Sequence, residues 1–450
     1  MHIEKNADKL VKTLRILILD QPGYLGKVCT AIGEAGGNIG EVKTVSQSLV
    51  RNTRDLTIYV DDEAHLQRVL EAIRPVSGID LVEVIDEVLK RHEGGKISVT
   101  SRYPLESIAD MRKVYTPGVA RVCSLIQAEP NLARRYTGIG NTVAIITNGT
   151  AILGLGAIGA VAGMPVMEGK ALLMERLAGI SGVPILLDTR DPSEFVQAVV
   201  RIAPTFGAIN LEDVAAPDCF EIEDRVQEAL DIPVMHDDQH GTAVVVLASL
   251  LRGCALSGLT LADQVVGIIG LGAAGLGIAK LLLSYGVQRL IGTDIKHEAM
   301  QRLEQVGGQR DSLTGLMSRA TIVVATSGVP GLIRPAMIQK GQVILALSNP
   351  NAEIKPEEAL AAGAAFAADG KVVNNALAFP GIFRGALDAR ARRITGPMKI
   401  AAAEAIARLA PEGELVPEIL DRAVHEAVAA AVSRASAGSD VGGDRMRNAK

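Results

Sequence analysis

The sequence predicts an α/β protein with more than one domain, and three observations support this prediction. Its 450 residues exceed the size at which a single hydrophobic core usually stops growing. Hydrophobic residues make up 48% of the chain and charged residues 22%, which is typical of a globular protein. Short apolar runs of strand character alternate with helical patterns along most of the length. We therefore expect sheets covered by helices.

Charge and cysteine usage narrow the class of protein. The net charge is only -5 and both signs are interspersed, so nothing points to nucleic acid or an anionic membrane surface as a partner. Cysteines 29, 123, 219 and 254 show no CxxC spacing and are expected to be structural thiols. The start of the chain is polar, and no apolar run approaches the ~20 residues that a membrane span needs. We predict a cytoplasmic protein with no membrane or nucleic-acid partner.

The first 90 residues predict a small βαββαβ domain of the ferredoxin-like type. The expected segments are a strand at 12–20, a helix from Pro22 to Gly36, strands at 39–47 and 53–60, a helix at 62–73 and a strand at 79–85. Residues 91–97 contain the polar stretch HEGGK and are interpreted as a linker.

Part of this domain resembles the ACT family of small-molecule-sensing domains. The resemblance lies in LDQPGYLGKVCTAIGEAGGNIGEV, where a strand runs through D-x-P-G-x-L into a helix and a glycine-rich turn. It implies a small effector, an amino acid or another metabolite, near Gly23 and Asn38. The alternative is a plain dimerisation domain.

Two larger α/β domains are expected after the linker. Residues 98–255, interpreted as a substrate domain, contain the strand-like runs TVAIIT, VPILLD and AINLED. Residues 256–435 repeat the alternation with QVVGIIG, RLIGTD, TIVVAT and QVILAL, which read as buried parallel strands. The Ala-rich stretch 401–433 predicts terminal helices, and residues 436–450 predict a disordered tail.

A glycine-rich turn in the third domain predicts a dinucleotide site. Within VVGIIGLGAAGLGIAKLLL, Gly270, Gly272 and Gly275 lie between a strand and a helix. Ala273 and Ala274 belong to the same turn, where a helix amino terminus faces the pyrophosphate. The motif predicts a Rossmann-type, doubly wound domain.

An acidic residue after the next strand bears on the choice of cofactor. Asp294 follows about 20 residues later, where a carboxylate accepts from the ribose hydroxyls of NAD and repels a 2′-phosphate. NAD is therefore favoured, and NADP stays open because Lys296 and His297 lie nearby. A second GxGxxG at residues 154–159 has no such acid and is interpreted as close backbone packing or a turn beside the substrate.

Four carboxylates follow two strand-like runs of the second domain. Glu212 and Asp213 end INLED, and Asp237 and Asp238 follow the run that ends in MH. Loops at the carboxyl ends of parallel strands face the substrate crevice, and clustered carboxylates repel unless a cation lies among them. Oxygen ligands favour Mg²⁺ or Mn²⁺. The alternative is a set of solvated loop acids.

Six motifs, in order, resemble those of the malic enzyme family in its shorter bacterial branch. They are VYTPGVA, ITNGTAILGLG, MPVMEGK, INLED, HDDQHGTA and NNALAFPGIFRGALD. The resemblance spans residues 100 to about 430. It implies oxidative decarboxylation of L-malate to pyruvate and CO₂, with reduction of NAD(P) at a divalent metal, in a homodimer or larger homo-oligomer.

The resemblance also implies roles for single residues. Tyr115 matches the general acid, Lys170 the general base and Asp237 a supporting acid of the active site. The other matches are Glu212, Asp213 and Asp238 as metal ligands, and Asn349 and Asn375 as contacts of the cofactor ribose or the substrate.

These roles impose physical requirements. A lysine base must be neutral, and we expect a nearby Mg²⁺, burial and a position at the start of the helical run GKALLMERL to lower the pKa of Lys170. A phenol such as Tyr115 stays protonated near neutrality and can protonate the enol. His236 and His240 flank the acids and are interpreted as loop or capping residues.

One departure and two alternatives remain. Larger eukaryotic malic enzymes carry an arginine where this chain has Ala151, so neighbouring Asn or backbone donors are expected to hold the malate carboxylate. An NAD-dependent 2-hydroxy-acid dehydrogenase that does not decarboxylate would need no metal. A non-catalytic nucleotide and amino-acid sensor would have no reason to keep Tyr115 and Lys170 together with the acids.

Overall fold

The fold is given by a computed structural model that describes residues 6, 9–152, 154–349 and 351–447, with side chains up to residue 437. The chain forms two compact units, residues 1–98 and 99–450. The division between them falls next to the predicted linker. All four cysteines are free thiols.

The first unit is a four-stranded antiparallel sheet with helices on one face. Its elements are β1 (Leu10–Leu19), α1 (Tyr24–Glu34), β2 (Asn38–Gln47), β3 (Arg51–Val60), α2 (Glu63–Ile73), β4 (Ile79–Asp86) and α3 (Glu87–His92). The strand order is β2-β3-β1-β4. Alternate residues of β1, such as Leu14 and Ile16, are buried together with Val28 of α1 and Val69 of α2. The predicted βαββαβ order is confirmed.

Local signals place the helices of this unit. Gly23, at φ 89°, lies in the left-handed region and precedes α1. Asp62 caps α2 by accepting a hydrogen bond from the backbone N–H of His65 at 2.6 Å. Asn38, at the start of β2, is exposed, and its amide donates to Asn6. Gly23 and Asn38 therefore flank α1, and an effector site there stays a prediction.

The second unit begins with short helices and a four-stranded parallel sheet. The elements are α4 (Ile108–Val114), α5 (Gly118–Ala128), α6 (Ala133–Tyr136), β5 (Thr142–Thr147), α7 (Met164–Ala178), β6 (Ser181–Leu186), α8 (Pro192–Ile202), β7 (Ala208–Leu211), α9 (Asp218–Ala229), β8 (Val234–His236) and α10 (Asp237–Leu256). The strand order is β6-β5-β7-β8. Phe195 of α8 and Ile222 of α9 pack on Ile209 of β7 in its core.

A six-stranded parallel sheet follows in the same unit. The elements are β9 (Val265–Ile269), α11 (Ala273–Tyr285), β10 (Arg289–Thr293), α12 (His297–Gln305), β11 (Gln309–Arg310), α13 (Leu313–Arg319), β12 (Ile322–Ala325), β13 (Val343–Ala346), α14 (Pro356–Ala361), β14 (Phe366–Asp369), α15 (Phe379–Asp388), α16 (Gly396–Leu409) and α17 (Arg422–Arg447). The order is β11-β10-β9-β12-β13-β14. Counted from β9, this is the 3-2-1-4-5-6 order of a Rossmann-type sheet, so that prediction is confirmed.

Helix α10 is apolar enough to resemble a membrane span but is a core helix. It has 20 residues, and its most apolar 18-residue window has a mean hydropathy of 1.2 and is 67% buried inside the fold. It packs against α11 and α16 and carries acidic residues in its first turn. Burial against protein accounts for its apolar character.

The last helix continues further than the sequence suggests. Helix α17 runs to Arg447 and enters the predicted tail, residues 436–450, of which 448–450 lie outside the described residues. Val428 and Val432 of α17 pack against Gly381 and Gly385 of α15, where an added Cβ would lie only 2.7–2.8 Å from the valine side chains. This close packing anchors the first half of the helix.

Candidate active site

The predicted acids meet at the carboxyl ends of two adjacent strands. Leu211, the last residue of β7, pairs with His236, the last residue of β8. Glu212 and Asp213 follow the first strand, and Asp238 lies in the first turn of α10 after the second. Carboxylate oxygens of these three acids all lie within 4.8 Å of one another. Of the residues described, they form the group of acids, histidines or cysteines that can hold a metal.

Hydrogen bonds and backbone strain hold this cluster in place. The Asp213 N–H donates to Asp238 Oδ2 at 2.9 Å, which ties the two loops together. The Asn210 amide donates to Glu212 Oε2 at 2.8 Å. Asp213 has a φ of 52°, a left-handed conformation that costs a non-glycine residue of order 1–3 kcal/mol. Such strain is typical of functional sites, because the surrounding structure must enforce it.

The electrostatics of the cluster fit a divalent cation. Burial raises the pKa of Glu212 well above its ordinary value; Lys170 opposes this rise, and the neighbouring carboxylates add to it. Asn210 Oδ1 and Asp237 Oδ1 are buried and have no hydrogen-bond partner in the described part of the chain. An all-oxygen donor set with excess negative charge matches Mg²⁺ or Mn²⁺.

Lys170 lies directly against the carboxylates. It is 8% exposed on α7, and its Nζ lies 3.1 Å from Glu212 Oε1 and donates a hydrogen bond to Asp237 Oδ2. The ammonium also lies 4.2 Å from the centre of the Phe379 ring. Lys170 and Asp237 are thus joined as a buried pair beside the predicted metal ligands.

One expectation about Lys170 was wrong, its position at a helix amino terminus, and the other, a pKa lowered beside Mg²⁺, stays a prediction. Helix α7 begins at Met164, so Lys170 lies in its second turn and not at its amino terminus. Burial does lower the pKa of Lys170, but the charges of Asp237 and Glu212 together outweigh burial, and the pKa lies above its ordinary value. The lysine is therefore an ammonium while these carboxylates carry no other cation.

Asp237 is completely buried at the start of α10. Burial raises its pKa, against the opposing effect of Lys170. The space beside it admits only glycine at position 241, because an added Cβ there would lie 1.9 Å from Asp237 Oδ1. The glycine of HDDQHGTA is thus required by the buried carboxylate.

Tyr115, the predicted general acid, makes no described hydrogen bond with Lys170. It ends α4 and is 67% exposed. The hydrogen bonds and ion pairs of Lys170 within the described residues do not include it. Helices α4, α5 and α6 bury no residue completely, and Ile108, Met111 and Val114 are exposed.

The predicted dinucleotide turn has the required geometry. Gly270 has a φ of 88°, and an added Cβ would lie 2.7 Å from the backbone of the β12 loop. Gly275 is equally restricted, because its Cβ would lie 1.9 Å from Gly270 O. Gly272 caps α11, which starts with Ala273 and Ala274. The helix amino terminus therefore faces the position of a pyrophosphate.

Asp294 is coupled to this turn. Its Oδ2 accepts from the Leu271 N–H at 2.7 Å, and its Oδ1 accepts from the Lys296 N–H at 2.8 Å. The carboxylate is half-buried at the end of β10. Its contact with the ribose of a bound dinucleotide stays a prediction.

The two predicted asparagines lie on loops of the same unit. Asn349 is exposed, and its carbonyl oxygen lies 3.1 Å from a Cβ built on Gly154, so the second glycine motif approaches it. Asn375 is half-buried, and its Cβ lies 3.2 Å from one built on Gly241. The second glycine motif is followed by α7 only at Met164, which is not the geometry of a nucleotide turn.

A cavity of about 290 Å³ adjoins the turn that contains Ala151. The Ala151 N–H donates to Asp213 O at 3.0 Å. Asn148 Oδ1 accepts from the Thr150 hydroxyl at 2.7 Å, and its NH₂ group donates to Thr189 O at 3.2 Å, so the expected use of a second amide hydrogen for the malate carboxylate stays a prediction. The cavity lining is Asn148, Gly149, Thr150, Gly159, Asp188, Thr189 and Arg190.

Comparisons with known proteins identify the family. Residues 94–227 match the family described as malic enzyme, N-terminal domain, and residues 239–308 and 293–437 match malic enzyme, NAD binding domain. The chain belongs to the malic enzyme family. Residues 9–83 match the ACT domain, which confirms the interpretation of the first unit.

Individual malic enzymes are similar over most of the chain. NAD-dependent malic enzyme 1 of Bacillus subtilis is 56% identical over 96% of this chain and 98% of its own. An NADP-dependent malic enzyme of Escherichia coli is 41% identical over 70% of this chain and 44% of its own. The crystal structure of the malic enzyme from Pyrococcus horikoshii has a TM-score of 0.75 and 38% identity, covering 79% of this chain and 91% of that one.

Membership of the malic enzyme family decides between the three activities considered. It confirms the NAD(P)-dependent oxidative decarboxylation of malate and does not favour the simple dehydrogenase or the sensor. A divalent metal is standard in malic enzymes, which agrees with the donor set found here. The cytoplasmic location stays a prediction.

Sequence reasoning missed three contributors to the site. The aromatic ring of Phe379 lies against the ammonium of Lys170. The sequence motif NNALAFPGIF contains Phe379, but no role was predicted for this residue. Glu223 and Lys399 contact His240 from two other helices. No local pattern marks these two residues, because their function depends on helices that are far apart in sequence.

Proposed function

We propose that this chain carries out the malic enzyme reaction with the residues gathered around Lys170. The observation that supports this most strongly is the buried Lys170–Asp237 pair beside three carboxylates within 4.8 Å of one another. In this proposal Glu212, Asp213 and Asp238 hold the divalent metal. A metal held there would polarise the keto oxygen and stabilise the charge that develops as CO₂ leaves, and a dinucleotide at the glycine turn would accept the hydride.

Lys170 takes the proton of the C2 hydroxyl, which requires a neutral amine. Asp237 and Glu212 keep it charged in the absence of another cation. A divalent cation among the carboxylates would cancel part of their negative charge and would thereby lower the pKa of Lys170. Asp237 then holds the amine in place through the hydrogen bond that it already makes.

Tyr115 protonates the enol at C3, and a second copy of the chain supplies it. Its exposure and the exposed apolar residues Ile108, Met111 and Val114 on the same segment support this arrangement, because such a surface is covered in an oligomer. Inactive Tyr115→Phe and Lys170→Met variants, mixed after subunit dissociation, are expected to regain part of the activity. Mixtures as inactive as their components would show that both residues act within one chain.

The cofactor of this chain is NAD in preference to NADP. Asp294 supports this, since it presents a half-buried carboxylate next to the glycine turn. A 2′-phosphate placed there would meet a like charge. Gly270, Gly272 and Gly275 allow the pyrophosphate to approach, and Asn349 and Asn375 are assigned to the ribose or the substrate.

The N-terminal unit regulates the enzyme through a small effector. The ACT match and the turn at Gly23 and Asn38 support this role. Deletion of residues 1–90 tests it. Loss of the response to amino acids, with catalysis retained, is the expected result, and unchanged regulation would contradict it.

The first experiment measures NADH formation from L-malate with and without Mn²⁺, and again with NADP⁺, while pyruvate and oxaloacetate are assayed as products. Metal-dependent pyruvate formation with NAD⁺ is expected. Oxaloacetate as the sole product, or activity that does not respond to chelation, would contradict the assignment of the carboxylates.

A further inference from the structure

A buried glutamate outside the catalytic motifs forms hydrogen bonds with the turn that carries two of the active-site acids. Glu223 lies on α9 and is 4% exposed. Its Oε1 accepts from the His236 N–H at 2.8 Å, and its Oε2 accepts from the Gln239 amide at 3.1 Å and from His240 Nε2 at 3.0 Å. One carboxylate thus contacts three residues within a span of five, on both sides of Asp237 and Asp238.

These three contacts fix the junction between strand and helix. The His236 N–H belongs to the last residue of β8, and the side chains of Gln239 and His240 belong to the first turn of α10. Gln227, one turn further along α9, also donates to Glu223 Oε1, at 3.3 Å, and to Val234 O. The backbone between His236 and Gln239 therefore has little freedom to rotate. Asp238 lies within this segment, so the same backbone sets the direction of its side chain.

A lysine from the C-terminal helices completes the network. Lys399 of α16 donates to His240 Nδ1 at 2.9 Å, which leaves Nε2 of the same ring as the donor to Glu223. Lys399 is buried, and burial lowers its pKa to about 8, although Glu223 opposes this shift. Burial also acts to raise the pKa of Glu223, but His240, His236 and Lys399 outweigh it and keep the carboxyl ionised.

The network has no direct part in the reaction assigned above. Glu223 contacts none of the three proposed metal ligands, and its described partners are all hydrogen-bond donors. A buried charge costs free energy unless it is hydrogen-bonded, and three of the four donors that satisfy Glu223 belong to the turn 236–240.

We propose that Glu223 is the positioning residue of the metal site: it fixes the turn 236–240 so that Asp238 points at Glu212 and Asp213, and Lys399 secures it through His240. This inference rests on the proposed metal site. Replacing a residue that orients a metal ligand without binding the metal itself commonly changes metal affinity or activity by about 10- to 100-fold.

The test is the Glu223→Gln variant of the full-length protein. Glutamine keeps the shape but turns one oxygen into an NH₂ group that faces donors, so at least one of the contacts to the turn is lost. Direct titration with Mn²⁺ alone, with free Mn²⁺ followed by electron paramagnetic resonance, is expected to show a dissociation constant raised by about 10- to 100-fold. The dissociation constant of NADH should change less than twofold.

A matched control separates positioning from general destabilisation. Ile222→Val alters the neighbouring, fully buried residue of the same helix and costs ~1 kcal/mol without touching the turn. It is expected to lower the melting temperature and leave Mn²⁺ affinity unchanged. Wild-type Mn²⁺ affinity in Glu223→Gln, or an equal loss in both variants, would overturn the proposal.

A second pair of variants applies if Glu223→Gln does not fold. His240→Gln can donate to Glu223 and accept from Lys399, whereas His240→Leu can do neither. Weakened Mn²⁺ binding in the leucine variant with rescue in the glutamine variant supports the network, and equal behaviour of the two contradicts it. Asp213→Asn serves as the separate check: if it binds Mn²⁺ like the wild type, the proposed metal site itself fails, whatever Glu223 does.

Discussion

Replacing Lys170 by methionine tests the charge balance of the active site. The ammonium lies 3.1 Å from Glu212 Oε1 and donates to Asp237, and all three side chains are buried. Methionine retains the packing against Phe379 but leaves these carboxylates without their cation. Removing one partner of a buried ion pair costs about 3–5 kcal/mol. At ~2 °C per kcal/mol for a domain of this size, the melting temperature in EDTA should fall by roughly 6–10 °C.

The same substitution should behave differently when metal is present. Mn²⁺ at 100 times its dissociation constant stabilises the wild type by ~2.7 kcal/mol. The variant should gain more, because the metal no longer competes with the ammonium for the same oxygens. Differential scanning fluorimetry in EDTA and in Mn²⁺ measures both effects, with Lys355→Met, an exposed lysine before α14, as the control. A loss below 2 °C in EDTA, or an equal loss in saturating Mn²⁺, would refute the reasoning.

Three further substitutions probe the base, the cofactor and the helix contact. Asp237→Asn should move the acidic limb of the kcat/KM profile to lower pH, because Asp237 raises the pKa of Lys170 and its loss keeps the amine neutral at lower pH; a limb that moves up contradicts this. Asp294→Asn should raise the ratio of kcat/KM for NADP⁺ over NAD⁺ by about tenfold or more, and steady-state kinetics that leave the ratio unchanged would exclude Asp294 as its cause. Gly277→Ala places a Cβ 2.3 Å from Gln239 O and should displace α11 from α10. We expect kcat to fall by about 10- to 100-fold, and a wild-type kcat would contradict the coupling of the two helices to catalysis.

The strands and the acids at their ends could be predicted from the sequence because both depend on local pattern. TVAIIT and RLIGTD are short apolar runs that correspond to β5 and β10. In a parallel sheet the carboxyl ends of neighbouring strands share one edge, so Glu212 and Asp238 had to lie close once their strands were paired. Glycine spacing likewise predicted the turn before α11, since Gly270 and Gly275 have no room for a side chain.

The position of Lys170 in its helix and its protonation could not be predicted from the local sequence pattern. The run GKALLMERL has a helical pattern, but MPVMEGK before it continues the same helix, with Pro165 in its first turn. The protonation of the lysine depends on the balance between burial and two carboxylates from other elements. Their distances come only from the folded chain, so the direction of the pKa shift could not be deduced from spacing.

The position of Tyr115 and the role of Glu223 lie beyond sequence reasoning for different reasons. Tyr115 ends a segment that buries little surface within its own chain, so its partners depend on assembly. Glu223 lies in the helical run EIEDRVQEAL, where acidic residues normally face solvent. Its burial follows from the packing of α9 behind β8, and no residue near it in sequence indicates that contact.

The fold joins the metal site and the cofactor site through two helices that start at the chemistry. Helix α10 begins with Asp237 and Asp238 at the end of the first sheet, and α11 begins at the glycine turn of the second. They pack so closely that Gly277 of α11 lies against the backbone of Gln239. The side chain of the same residue, Gln239, donates to Glu223 of α9, so Gln239 contacts both α11 and α9. Hydride transfer from a substrate at the metal site to a nicotinamide would need a fixed distance between the two sites, and the close helix contact at Gly277, which leaves no room for a side chain, would help to maintain it.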